Sequence, residues 1–212
     1  MRKIVLSAFV ALSMVAFAQS VTPLSIELTE VKIDSLRALY INEPTMYRAA
    51  LDVLTQQLAA DAEEVKAARA ILKDEQKHVA EKDKALKEAM KMTSSLRKLY
   101  AKEADELKDM QKTIESQQRT LNKQKELNKE TRDAYAQLLE KQQKELGYSL
   151  REVADRQRSV SELETTIQNG QTDLQSYAQQ VQLKAGDLDK IEAQLKERQA
   201  LVKAEQKTAK TL

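Results

Sequence analysis

"LREVADRQRSVSELETTIQNGQTDLQ", residues 150–175, places Val153, Val160, Ile167 and Leu174 seven residues apart, with Asn169-Gly170 set among them like a turn. Sevenfold apolar spacing marks a coiled-coil seam, whereas Asn-Gly is a turn dipeptide, so this stretch decides between one long helix and two short ones. Traced outward, the row runs Leu139, Leu146, Val153, Val160, Ile167, Leu174, Val181, Leu188, Leu195 and Val202, and every member is Leu, Ile or Val. A loop at Gly147, Gly170 or Gly186 would leave the phase of the downstream residues arbitrary, keeping it by chance about one time in seven. The phase holds across all three, so the helix is expected to run through. Gly147 and Gly186 fall on outward positions, where glycine weakens a helix by about 1 kcal/mol without stopping it. Gly170 falls on the seam, where a missing side chain lets a partner backbone approach. One opposing signal is Ser149-x-x-Glu152, a capping-box spacing. The same spacing recurs at Ser159/Glu162 and Ser161/Glu164.

A second row precedes this one: Leu51, Leu58, Val65, Leu72, Val79, Leu86, Thr93, Tyr100, Leu107, Ile114 and Leu121. The companion position, three residues later, is apolar or small at Leu54, Ala68, Ala89, Leu96 and Met110 but charged at Asp61, Glu75, Lys82 and Glu103. In the later row it alternates likewise, Leu163, Tyr177 and Ile191 being separated by Arg156, Gly170, Lys184 and Arg198. Each seam therefore has one strong row and one weak row. The two rows are out of phase, and the shift lies between Leu121 and Leu139, in the polar run "NKQKELNKETRDAYAQ". Equal arms around a polar tip describe an antiparallel helical hairpin. Folding about residue 130 would set the basic stretch 84–102 opposite the acidic stretch 158–176. The rival is a stutter in one continuous rod, paired as a parallel dimer, and the lack of Gly or Pro in the interval speaks for it.

Composition agrees with an all-α coiled coil. Of 212 residues, 32% are charged and 4% aromatic, with three Gly and two Pro, too few for the turns that compact mixed or β folds need. Residues 1–18 have the form of a signal peptide: Arg2-Lys3, an apolar stretch from Ile4 to Phe17, and Ala16-Phe17-Ala18 as a cleavage site. Without Arg2 and Lys3, the 35 Lys+Arg become 33, equal to the 33 Asp+Glu. A chain with no net charge lacks the field that nucleic-acid binding requires. The expected layout is a signal peptide at 1–18 and a leader at 19–44. Beyond them come a first long helix at 45–127, a polar tip at 128–138, a second long helix at 139–208 and a frayed tail at 209–212. The leader is read as a short helix opened by Thr22-Pro23, with Leu24, Leu28, Val31 and Ser35 on one face and its end at Asn42-Glu43-Pro44. A strand is the alternative, since Ile26, Leu28, Val31 and Ile33 come close to alternation.

Chemistry is sparse. No cysteine is present, so thiolate zinc sites, cysteine nucleophiles and disulfides are excluded. His78, the single histidine, sits beside Val79 and reads as a helix-surface residue. The carboxylates alternate with Lys and Arg as on a solvated face, and no calcium loop, P-loop or dinucleotide fingerprint occurs. The serines lack a glycine-flanked elbow. Tyr100, Tyr135 and Tyr177 read as packing residues and Lys203–Lys210 as a tail. The expectation is no catalytic residue, no cofactor, no metal and no small-molecule substrate.

The stretches "AFAQSVTPLS" (16–25), "EPTMYRA" (43–49), "QKELGYS" (143–149) and "EVADRQR" (152–158) resemble a group of secreted coiled-coil proteins of Gram-negative bacteria. Some of these go under the name of a tRNA guanine methyltransferase. That name implies a knotted α/β domain binding S-adenosylmethionine through glycine-rich loops, which three scattered glycines do not supply. In being exported and having hairpin arms, the chain is also similar to the periplasmic chaperone Skp. That family adds a small β-structured trimerisation body, for which only residues 24–33 are a candidate here. The reading is an exported, non-enzymatic scaffold or partner-binding protein of the cell envelope, in the periplasm or outside the cell. Its expected partners are a second copy or another helical envelope protein, with no nucleic acid and no membrane span after cleavage. A Skp-like holdase for unfolded envelope proteins is the alternative.

Overall fold

The computed structural model describes residues 23–124 and 126–210; the signal-peptide segment lies outside them. Three helices succeed one another: α1 (Ile33–Asn42), α2 (Pro44–Lys123) and α3 (Lys129–Lys210). α2 and α3 pack against each other as an antiparallel hairpin, and no strand occurs among the described residues. α3 passes Gly147, Gly170 and Gly186 without interruption, and no described residue has positive φ. Ser149 does not cap: its hydroxyl donates back to the Glu145 carbonyl within the helix. Phase retention across the glycines, and not the Asn-Gly dipeptide, is the governing signal.

Both apolar rows face inward. Every member of the α3 row is buried except Leu174, which is half-buried. On the α2 row Val79, Leu107 and Leu121 are half-buried and the rest are buried, Thr93 included. Thr93 satisfies its hydroxyl on the Ala89 carbonyl, so it enters the seam without an unpaired donor.

The described chain divides into two units, each containing a length of both helices. The tip unit is Lys84–Thr172; the terminal unit comprises the residues up to Asp83 together with those from Asp173 onward. In the tip unit, Leu96 and Tyr100 pack with Val153 and Val160, while Ile114 packs with Leu139 and Leu146. In the terminal unit, Leu51, Leu58, Val65 and Leu72 form one cluster with Val181, Leu188, Leu195 and Val202. Leu36 of α1 is buried in the same cluster, and Leu24, Ile26 and Leu28 pack against it. The leader thus adds a third layer to the terminal unit.

Several expected boundaries move. Helix is not present from Pro23 on: residues 23–32 belong to no helix or strand, and α1 starts at Ile33. Ile26, Leu28, Val31 and Ile33, the residues of the strand alternative, are all half-buried. The segment has no neighbouring strand, however, and its backbone is held by hairpin side chains. The tip is also shorter than residues 128–138. α2 ends at Lys123, and α3 begins at Lys129 instead of 139. The turn forms without Gly or Pro because side chains cap both ends. The Thr131 N–H donates to Asn128 Oδ1 at 2.8 Å, an N-cap, and Arg132 Nη2 donates to the Gln124 carbonyl at 2.6 Å. Finally, residues 209 and 210 are helical, and Ala209 is buried, where a frayed tail was expected.

Glycine in a helix loses more conformational freedom on folding than alanine does. A Cβ placed on Gly147 or Gly186 meets nothing within 4 Å. Gly147→Ala and Gly186→Ala should therefore each stabilise the protein by about 0.5–1 kcal/mol, read as a higher denaturant midpoint at unchanged slope.

Candidate functional site

The weak companion row gives the hairpin its register. Glu75 of α2 faces Lys184 of α3, both from that row, with Nζ 2.9 and 3.0 Å from the two carboxylate oxygens. The Lys184 and Glu75 side chains are only 9% and 13% exposed. In the tip unit Glu103 meets Arg156 in the same way at 3.4 Å. Arg156 also lies 5.7 Å from the centre of the Tyr100 ring, adding a cation–π contact. The residue numbers of facing partners add to 259 at both pairs and to 261 at Arg97–Glu164 and Gln118–Gln143. One antiparallel register, turning near residue 130, therefore holds within each unit. By that register, Ala89 stands level with Gly170, both buried, and Leu96 with Leu163. At these four levels small faces small, apolar faces apolar, and acid faces base.

A repeated device accompanies the row. Gln157, next to Arg156, donates to the Tyr100 carbonyl at 3.2 Å, and Gln199, next to Arg198, donates to the Leu58 carbonyl at 3.5 Å. The acid-Arg-Gln triplets 155–157 and 197–199 lie six heptads apart, as do Leu58 and Tyr100. The triplet stands in the sequence itself, but its residues are polar and apolar periodicity does not mark it.

In the terminal unit the companion row also grips the leader. Asp61 accepts from the Thr29 N–H at 2.8 Å and from its hydroxyl at 3.1 Å. Arg198 Nη1 donates to the carbonyls of Leu28 and Thr29 at 2.7 and 2.6 Å. Buried backbone groups need partners, and these two side chains supply them for a segment with no sheet of its own. A second clasp lies at Glu205, which is 9% exposed. Its carboxylate accepts from the Tyr47 hydroxyl at 2.8 Å and from Arg37 of α1 at 3.2 and 3.3 Å. Tyr47, fully buried, packs edge-on against Tyr40, with ring centres 5.3 Å apart. Burial, reinforced by the Glu205 carboxylate, pushes the Tyr47 phenol up to about 12. At Arg69, hydrogen bonds to Glu192 and Asp189 hold the guanidinium more firmly protonated than usual.

The residues singled out in the sequence are dispersed along the chain. His78 is half-buried beside Val79 on α2. Tyr100 is buried in the seam, Tyr177 is half-buried with its phenol raised by burial and by Glu75, and Tyr135 is exposed. Among the described residues no three His, Cys, Asp or Glu gather as a metal ion would require. No helix among them is long and apolar enough to cross a membrane.

Toward the turn the companion row changes character. Met110 and Gln117 on α2 and Gln142 and Ser149 on α3 form neither an ion pair nor buried apolar packing. They border an open groove of about 720 Å³ with Leu107, Ile114 and Leu146 at its base. A second groove of about 480 Å³ shares Gln117 and Gln142 and continues past Leu121, Leu127, Tyr135 and Leu138. Together they form an uncovered apolar feature of the tip unit, and the candidate site for a partner. No protein-family model, curated protein or solved structure matches the chain.

Removing one member of a buried ion pair strands its partner at about 3–5 kcal/mol. Glu75→Lys should thus destabilise the protein by about 3 kcal/mol, and adding Lys184→Glu should recover most of the loss in urea melts. The Tyr47 phenol gives a pH signature. Its folded value lies above the ordinary 10, so its contribution is full below pH 10 and lost as pH rises towards 12. Tyr47→Phe should therefore lose less stability than the wild type between pH 10 and 12, measured as the difference between the two melts.

Proposed function

We propose that this protein is an exported, non-enzymatic coiled-coil scaffold of the cell envelope that binds a helical partner along its hairpin. The observation that carries this reading is the division of its surface. Along most of its length the companion row is filled by matched side chains, and in the terminal unit the leader covers the seam as well. Near the turn an apolar groove is left open. Contiguous exposed apolar surface on an otherwise charged protein favours an interaction site. The signal-peptide pattern of residues 1–18 supports export, and the balanced charge argues against an anionic polymer as partner. Because the seam is buried within one chain, the partner is sought at the groove and not along the seam.

The same groove supports a second reading, a holdase of the Skp kind, in which exposed apolar surface engages unfolded envelope proteins. Two measurements separate the possibilities. Cell fractionation with N-terminal sequencing should find the mature chain in the envelope or medium, beginning at Gln19; an uncleaved cytoplasmic chain would overturn the export reading. A photoreactive side chain in place of Tyr135 should then crosslink to one discrete protein. A broad smear of clients, with suppressed aggregation of an unfolded outer-membrane protein at stoichiometric ratio, would favour the holdase.

A further inference from the structure

The geometry points to a basic amphipathic helix as the occupant of the groove between α2 and α3 in the tip unit, a proposal that rests on the partner-binding reading above. The groove has a base of Leu107, Ile114 and Leu146, and Met110 on its wall is 55% exposed. Its charged lining residues are Glu106, Asp109 and Glu145, and it is lined by no Lys or Arg. Glu106 and Asp109 pair along their own helix with the exposed Lys102 and Lys112, at 3.5 and 2.8 Å. Such exposed pairs are weak and exchange readily with an arriving cation. Glu145 makes no ion pair among the described residues. An apolar floor between carboxylates fits a helix with a Leu-like stripe flanked by Lys or Arg, the apolar face lying in the groove and the charges reaching its rim.

Length narrows the occupant further. The lining of the two grooves extends along α2 from Glu106 and ends at Gln124, the residue after the helix. At ~1.5 Å per residue this is about 27 Å, matching a partner helix of about 18 residues. Gln117 and Gln142, which line both grooves, contribute amide groups midway. A fully apolar segment would leave Glu145 without a partner. An acidic one would face three like charges.

The test is fluorescence anisotropy of the purified protein with a labelled 18-residue helical peptide carrying a leucine stripe flanked by lysines, and with a sister peptide whose lysines are replaced by glutamates. The lysine peptide should bind, with affinity falling as salt rises, while the glutamate peptide binds at least tenfold more weakly. Met110→Asp should weaken the lysine peptide at least tenfold and Glu145→Lys several-fold. Leu183→Asp, on an exposed position of the terminal unit, should leave binding unchanged. Circular dichroism and melting of each variant check the fold. No binding, equal binding of both peptides, or indifference to Met110→Asp and Glu145→Lys would overturn the assignment. So would concentration-dependent dimerisation that Met110→Asp abolishes, which gives the groove to a second copy. Failure of peptide binding in a protein that is exported and crosslinks from Tyr135 to one partner sinks this inference and leaves the broader reading standing.

Discussion

Two long amphipathic helices can slide past each other by a heptad and still bury leucine against leucine. The strong rows of α2 and α3 favour association but discriminate poorly among registers, because each repeats every seven residues. The companion row removes that freedom. It sets Glu75 against Lys184, Glu103 against Arg156 and Ala89 level with Gly170. A one-heptad slip would place Glu75 at the level of Tyr177 or Ile191 and strand Lys184. An unpaired buried charge costs several kcal/mol, whereas the matched pair contributes little net stability over an apolar one. The charges thus serve specificity more than strength, and the depth of the Glu75–Lys184 pair makes the error costly.

The same logic explains the leader. At the level of Asp61 and Arg198 the charged row is directed to the backbone of Leu28 and Thr29 instead of to an opposing side chain. At Glu205 it engages Arg37 and Tyr47. Where the row is charged and grips backbone, a third chain segment covers the seam. Where it is charged and self-paired, the seam is closed by two helices. Where it is neither, at Met110, Gln117, Gln142 and Ser149, the seam stays open. Function is therefore sought where the register code stops.

Much of this is legible in the sequence. Sevenfold spacing identifies both inward rows, and unbroken phase carries α3 through three glycines. The shift between Leu121 and Leu139 locates the reversal. The helix ends are less legible, because they depend on interactions that periodicity does not encode. The turn uses Asn128 and Arg132 as caps in a stretch that reads merely as polar, so ten residues of α3 resemble part of the tip. Residues 23–32 read first as helix and second as strand, yet form neither, and their backbone is held by Asp61 and Arg198, which are remote in sequence. The charged companion positions stand out along each helix, yet as interruptions of an apolar row. Their pairing emerges only when one helix is reversed against the other about residue 130. The groove is hidden for a related reason: it lies between residues on different helices, and nothing local marks it.

The central claim is that the two rows pair within one chain in a single antiparallel register. Dipolar spectroscopy tests it most directly, with spin labels on cysteines replacing Arg97 and Glu164, in a chain that has no cysteine of its own and is diluted with unlabelled protein. Those side chains form an ion pair across the tip unit at 3.4 Å. A single antiparallel register predicts one narrow distance of about 10–20 Å, from helix axes ~8–10 Å apart plus the labels, unchanged by dilution. A distance near ~100 Å, the rise of a continuous helix between the two sites, or a short distance that disappears on dilution, would contradict it.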